Sequence, residues 1–64
     1  MCEANVYFID NEGREKLVLE SVDKVIPFEE GILIENIYSQ RKTLRAKIKE
    51  MELVEHRIIL EEIR

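Results

Sequence analysis

Short apolar runs, each followed by turn residues, occupy the first 38 positions of the chain and restrict it to a β-rich fold. The first run is β-branched and aromatic and ends at Asp-Asn-Glu-Gly, where Gly13 can adopt the positive φ of a tight turn. A second glycine, Gly31, closes a later turn. The pattern predicts four strands, at residues 4–9, 16–20, 25–28 and 32–38.

Alternation of side chains predicts the faces of these strands. One face of the first hairpin carries Val6, Phe8, Leu17 and Leu19. The fourth strand places Ile32, Ile34 and Asn36 on one face. Pro27 cannot donate a hydrogen bond to a ladder, so its strand is expected to lie at an edge or to bend there.

The C-terminal third of the chain fits two structures. Good helix formers and apolar spacings of three and four predict an amphipathic helix over about 43–62. Alternation instead predicts a strand, with a bulge near Glu50, a turn at residues 55–56 and a last strand at 58–60. Neither a capping box nor a glycine stop frames a helix, which slightly favours strands.

The size of the chain limits it to one small domain, residues 1–64. A single cysteine, Cys2, excludes an intramolecular disulfide and a four-cysteine zinc site within one chain. Chains of this length bury little core, so association of two copies would add apolar burial. The strand count and turns together predict an all-β fold, a small closed or nearly closed β-barrel.

The sequence contains no pattern typical of a membrane protein, a secreted protein or an enzyme. No apolar stretch is long enough for a transmembrane helix and no signal peptide is seen, so we expect a cytoplasmic protein. A nucleophilic triad would need Ser21 or Ser39 with His56, and no pattern brings them together. With no glycine-rich phosphate loop and little room for a cleft, we expect no enzymatic activity.

Half of the ten basic residues fall within residues 41–49: Arg41, Lys42, Arg45, Lys47 and Lys49. Within this basic stripe, Arg45, Lys47 and Lys49 are expected to form the solvated face of a strand, and Glu35, Glu50 and Glu52 could pair with them across strands. The alternative is a docking surface for an acidic partner or RNA. The net charge of −4 and the lack of aromatic residues between these positions argue against nucleic acid.

The sequence Met1-Cys2-Glu3-Ala4 directly precedes the first strand. The thiolate and a backbone nitrogen of Cys2 can close a five-membered chelate ring on a metal, whether or not Met1 is removed. Two copies related by a two-fold axis would supply two nitrogens and two sulfurs, a donor set that suits square-planar Ni(II) or Cu(II). The alternative is that Cys2 is an incidental small hydrophobic residue and the protein a metal-free interaction module.

Two other residues carry donor atoms. His56 is expected to be a solvated turn residue, and the alternative is an auxiliary ligand. Met51 has a thioether, but its place beside Ile48 and Leu53 predicts a core position.

The start Met1-Cys2-x-Ala4, the acidic-glycine hairpin at residues 10–13 and the final Ile-Ile-Leu-Glu-Glu together resemble the CooT family of small nickel-binding proteins. The resemblance covers the whole chain. It implies an SH3-like β-barrel and a homodimer that holds one Ni(II) between two copies of Cys2. It also implies a role in nickel delivery during maturation of carbon monoxide dehydrogenase, and it favours strands over the helix at 43–62.

Overall fold

The computed structural model describes residues 3–63, which form six strands and no helix. The strands are β1 (Ala4–Ile9), β2 (Glu15–Phe28), β3 (Gly31–Asn36), β4 (Arg41–Leu44), β5 (Ala46–Glu52) and β6 (Arg57–Glu62). They make one mixed sheet in the order β4-β3-β2-β1-β6-β5. The all-β prediction is confirmed. Within residues 3–63, no helix is long and apolar enough to cross a membrane.

The second and third predicted strands are a single strand, β2, so the prediction of two strands is wrong. β2 pairs with β1 through Val22 and with β3 from Val22 onward, and it changes partner at irregularities in both ladders. Ser21, at φ 57°, lies at this change of partner. The polar residues Asp23 and Lys24 point to solvent within a continuing strand and do not interrupt it.

The end of β2 confirms the expectation for Pro27. β1 pairs with β2 only as far as Val22, so Pro27 lies on a stretch that has β3 as its partner on one side. A missing N–H donor costs little where the other side of the strand is free.

The faces of the first hairpin are shifted by a bulge. Val6 pairs with Leu19, but Tyr7 pairs with Leu17, so Val18 is the extra residue. Leu17 therefore shares a face with Tyr7 and is 46% exposed, and its predicted place beside Val6 is wrong. Alternation cannot reveal such an insertion, because the bulge reverses the faces beyond it.

The C-terminal residues are strands, and the alternative helix over 43–62 is wrong. β5 and β6 form an antiparallel hairpin whose register shifts between Ile48 and Glu50, which confirms the predicted bulge. The turn at residues 53–56 precedes β6, which pairs in parallel with β1. This pairing buries Ile58 and Leu60 against Val6, and such long-range burial outweighs a weak helical propensity.

The main core cluster lies on one face of the sheet, and Ile59 of β6 is buried on the other. The cluster consists of Val6, Leu19, Val22, Ile32, Ile34, Ala46, Ile58 and Leu60. The two ends of the sheet, β4 and β5, are joined by Arg45 alone, so the sheet must curl back on itself. Full closure into an SH3-like barrel stays a prediction.

Asn36 is the buried polar residue of this core and confirms the predicted face of β3. Its Oδ1 accepts hydrogen bonds from the backbone N–H groups of Tyr38 (3.0 Å) and Gln40 (2.9 Å), and its Nδ2 donates to Gln40 Oε1 (2.7 Å). A buried amide is stable only when it is bonded in this way. Asn36 therefore determines the course of the chain from β3 to β4.

Asp10 organises the turn between β1 and β2. Its Oδ1 accepts hydrogen bonds from the backbone N–H groups of Glu12 (2.9 Å) and Arg14 (3.0 Å). Bonds to the charged carboxylate, first from the Arg14 backbone and then from Glu12, hold the pKa of Asp10 below its ordinary value of 3.8. Gly13, at φ 82°, confirms the predicted left-handed turn position.

The two glycines are constrained in different ways. A Cβ at Gly31 would overlap the backbone oxygen of Leu44, whereas a Cβ at Gly13 would meet open space but keep a positive φ. We expect Gly31→Ala to lower the free energy of unfolding by about 3 kcal/mol and Gly13→Ala by about 1 kcal/mol. Urea denaturation measures both, and equal losses would contradict the close approach of β3 to β4.

The lowered pKa of Asp10 is expected to survive removal of the Arg14 side chain, because the two strongest bonds come from backbone N–H groups. NMR titration of the carboxyl carbon should place the midpoint below 3.8 in both the wild type and Arg14→Ala. The stabilisation is present above pH 3.8 and is lost as the pH falls through the folded-state pKa. A midpoint back at 3.8 in Arg14→Ala would assign the shift to the guanidinium instead.

Candidate metal centre

Cys2, the predicted metal ligand, lies outside the described residues, as does Met1. The structure describes the chain from Glu3, the next residue. Ala4 begins β1 and packs against the core cluster, and Asn5 N donates a hydrogen bond to His56 O at 2.9 Å. The segment that leads directly from Cys2 is therefore held against the turn at residues 53–56.

A groove lies between the start of β1 and this turn, and we refer to it as the β1 groove. Its volume is about 180 Å³. It is lined by Glu3, Ala4, Glu52, Leu53, His56, Arg57 and Ile58. Ala4, Leu53 and Ile58 make its walls largely apolar, while the charged residues lie among them. Glu3, the residue that follows Cys2 in the sequence, is one of the lining residues.

His56 is exposed and lies in a turn, as predicted. Its backbone has φ 58°, a left-handed conformation that is uncommon outside glycine but is adopted by asparagine, aspartate and histidine more often than by other residues. Its carbonyl oxygen accepts the bond from Asn5, so the backbone of His56 ties the turn to β1. The imidazole is thereby carried at the groove, although sequence spacing leaves it 54 positions from Cys2.

Side chains of residues 3–63 form no group of three or more His, Cys, Asp or Glu that could hold a metal ion. The chemistry available at the groove comes from single donors: the carboxylates of Glu3 and Glu52 and the imidazole of His56.

Arg57 makes a network that the sequence analysis missed. Its Nη2 lies 2.8 Å from Glu15 Oε2, its Nε lies 3.6 Å from Glu52 Oε1, and its guanidinium carbon is 4.7 Å from the centre of the Tyr7 ring. The Nε atom is buried without a hydrogen-bond partner in the described structure. Arg57 reaches these groups because β6 pairs with β1 in parallel, a pairing that no local pattern reveals.

The basic stripe is divided between β4, the bend at Arg45 and β5. Arg41 Nε lies 3.0 Å from Glu35 Oε1 across the β3–β4 ladder, whereas the predicted partners of Glu35 were Arg45, Lys47 and Lys49. Lys42 Nζ donates to the Val18 carbonyl oxygen at 3.1 Å.

Lys47 of β5 pairs with Glu61 of β6, and its Nζ lies 3.8 Å from Glu61 Oε2. Glu52 binds Arg57 on its own hairpin. Three of the five basic side chains thus have intramolecular partners, while Arg45 and Lys49 are exposed.

Apolar side chains are exposed beside the groove. Met51 is 53% exposed, so its predicted core position is wrong. It pairs with Ile58 at the end of an edge strand, where the sheet ends and no further strand covers it. Leu53 and Val54, in the turn, are 72% and 87% exposed.

The left-handed backbone of His56 provides a variant that removes the imidazole and keeps the turn. We expect His56→Asn to change the free energy of unfolding by less than about 0.5 kcal/mol, because asparagine tolerates this conformation. His56→Val should lose about 1–2 kcal/mol, because a β-branched residue does not. Urea denaturation compares them, and equal losses would show that the imidazole itself stabilises the turn.

Comparison with known proteins identifies the family. The family model described as CooT, CO dehydrogenase accessory protein, matches residues 1–61. A search of curated proteins finds no significant match. A crystal structure from Carboxydothermus hydrogenoformans that bears CooT as a provisional name is 56% identical to the chain. The match covers 98% of this chain and 100% of that one, with a TM-score of 0.88.

The family match includes Cys2 and extends through the groove and nearly all of β6. The matched structure shares the fold over almost the whole length of both chains. The chain therefore belongs to the CooT family of CO dehydrogenase accessory proteins.

Proposed function

We propose that the chain is a cytoplasmic nickel-binding protein that captures Ni(II) and passes it to carbon monoxide dehydrogenase, or to another nickel enzyme, during maturation. The observation that carries the proposal is the match of residues 1–61 to a family of accessory proteins of that dehydrogenase, with Cys2 inside the matched range. An accessory protein assists an enzyme, so the proposed role requires no catalytic residues in this chain.

The chemistry of the proposed site comes from Cys2. Its thiolate and a backbone nitrogen would bind from each of two copies, giving a sulfur- and nitrogen-rich set that suits a square-planar ion. Softer sulfur donors also disfavour calcium and magnesium, which prefer oxygen. Nickel is the cargo of this site, and the homodimer is required because one chain supplies only half of the donors.

The geometry at the start of β1 supports a site of this kind. Asn5 is bonded to His56 and Val6 is fully buried, so the frame that carries Cys2 is held from both the turn and the core. Only Glu3 and Ala4 separate Cys2 from Asn5. A recipient protein could take the ion from such a site by ligand exchange.

The basic stripe offers less support for RNA binding. Arg41, Lys42 and Lys47 already have partners within the chain. A phosphate would have to compete with these contacts, in a protein of net charge −4.

Nickel titration of the reduced, tag-free protein is expected to saturate at about one ion per two chains, since each chain contributes half of a four-donor set. Thiolate-to-metal charge-transfer bands should appear with the same stoichiometry. Cys2→Ser should abolish both the bands and the saturation, because the hydroxyl is a poor nickel ligand. Absorption spectroscopy and equilibrium dialysis measure the two quantities.

His56→Asn is the matched control, because it removes the imidazole at the groove and keeps the turn. It should retain the stoichiometry and the thiolate bands. Saturable binding in Cys2→Ser at the wild-type level would show that Cys2 is not the ligand. A wild-type protein that shows no saturable binding would favour a metal-free interaction module instead.

A further inference from the structure

The first half of β2 has a free side. Residues 15–20 pair with β1 on one side, and the ladder between β2 and β3 begins only at Val22. Within residues 3–63, no strand pairs with the other side of this stretch, which we call the β2 edge. An unpaired edge presents backbone N–H and C=O groups that can form hydrogen bonds with a further strand.

One backbone carbonyl of the β2 edge is covered by a side chain. Lys42 donates from Nζ to the carbonyl oxygen of Val18 at 3.1 Å, and this hydrogen bond is exposed to solvent. A hydrated ammonium on a flexible stem leaves such a position at little cost, because another donor takes its place. Beyond Val22, by contrast, the free side of β2 is protected permanently by Pro27, which has no N–H group.

Three recesses follow the β2 edge in a row. The middle one, which we call the edge groove, has a volume of about 340 Å³ and is lined by Phe8, Lys16, Leu17, Val18, Lys42 and Leu44. It shares lining residues with a recess on each side, one beside the turn between β1 and β2 and one beside Tyr38. Where a strand adds to a sheet edge, recesses of this kind receive its alternate side chains.

The edge groove carries charge of one sign. Its charged side chains are Lys16 and Lys42, and no carboxylate of residues 3–63 lines it. Lys16 has no ion pair in the described part of the chain, and Lys42 uses one of its three N–H donors on Val18. The other walls of the groove are apolar side chains. The groove therefore suits a segment that presents an apolar side chain next to a carboxylate.

We propose that the β2 edge binds an extended acidic segment of a partner protein, which adds to the sheet as a further strand beside residues 15–20. Backbone hydrogen bonds hold the segment, and one of its apolar side chains fills the edge groove. Lys42 leaves the Val18 carbonyl oxygen to a backbone N–H group of the segment and, with Lys16, binds its carboxylate. This surface goes beyond the proposed function, because it uses neither nickel nor Cys2.

The backbone and side chains of the β2 edge fit a peptide better than a nucleic acid. A row of N–H and C=O groups at strand spacing is complementary to another extended peptide. Bases bind single-stranded sites largely by stacking on aromatic rings, and the aromatic residue of the edge groove, Phe8, is packed against the core. At roughly 3.3 Å per residue, the β2 edge spans about 20 Å and accommodates a peptide of about five or six residues.

The probe is a short peptide that alternates valine and glutamate and has both ends blocked. It is titrated into the isotope-labelled full chain, and amide chemical shifts are followed by NMR. One control peptide has lysine in place of glutamate, and another has methylated backbone nitrogens and so lacks N–H donors.

Two variants of the protein separate the edge groove from net charge. Lys42→Glu reverses the charge at the groove. Lys49→Glu is the matched control, because Lys49 is an exposed residue of β5 that lines none of the three recesses. Circular dichroism checks that both variants fold.

We expect the glutamate peptide to give saturable shifts at the amides of residues 15–20 and 41–44. Its dissociation constant should rise about fivefold or more in Lys42→Glu, because like charges then face each other, and should not change in Lys49→Glu. Lys42→Glu should prefer the lysine peptide, and the methylated peptide should not bind. Cys2→Ser should bind the glutamate peptide as the wild type does, so the nickel titration and this test fail independently.

Four results would overturn the proposal. The first is a wild type that shows no saturable shifts with the glutamate peptide. Equal weakening in the two variants would assign the binding to net charge, and equal binding of the methylated peptide would show that no strand is added. If a uridine oligonucleotide shifts the amides of the β2 edge and the peptide does not, the surface binds nucleic acid instead.

Discussion

The parallel ladder between β1 and β6 is the contact on which the rest of the structure depends. It joins the N-terminal strands to the C-terminal hairpin and brings together residues more than 50 positions apart, as in the pairing of Val6 with Ile58. The same pairing buries Ile58 and Leu60 in the core cluster. Without it the C-terminal residues would have only the pairing of β5 with β6 and a local propensity that is compatible with a helix.

The ladder also determines what surrounds the proposed metal site. By pairing Asn5 with Arg57, it places the 53–56 turn against the segment that follows Cys2. It carries the guanidinium of Arg57 over Tyr7 and toward Glu15, on the face opposite the core. The groove, the 53–56 turn and the imidazole of His56 all lie beside the start of β1 for this one reason.

Local patterns predicted much of the fold and failed at identifiable places. The turn at Gly13, the edge position of Pro27 and the bulge between Ile48 and Glu50 follow from backbone chemistry and from a break in alternation. Local patterns did not predict the continuity of β2 or the exposure of Leu17 and Met51. Each of these depends on which strand lies alongside. Pairing partners are chosen by long-range burial, which a window of neighbouring residues does not contain.

The sequence by itself determined the donor atoms of Cys2 and the tendency to form short strands, because these are properties of single residues and their immediate neighbours. It also determined that there is no second cysteine to form a disulfide. The family was also recognisable from the residues, through the start at Cys2 and the order of the segments, and the match over residues 1–61 confirmed it. Only the tertiary structure decided that a groove, an exposed apolar turn and the Arg57 network lie at the start of β1. The physical reason is that these neighbours are created by the pairing of β1 with β6, an interaction between the two ends of the chain.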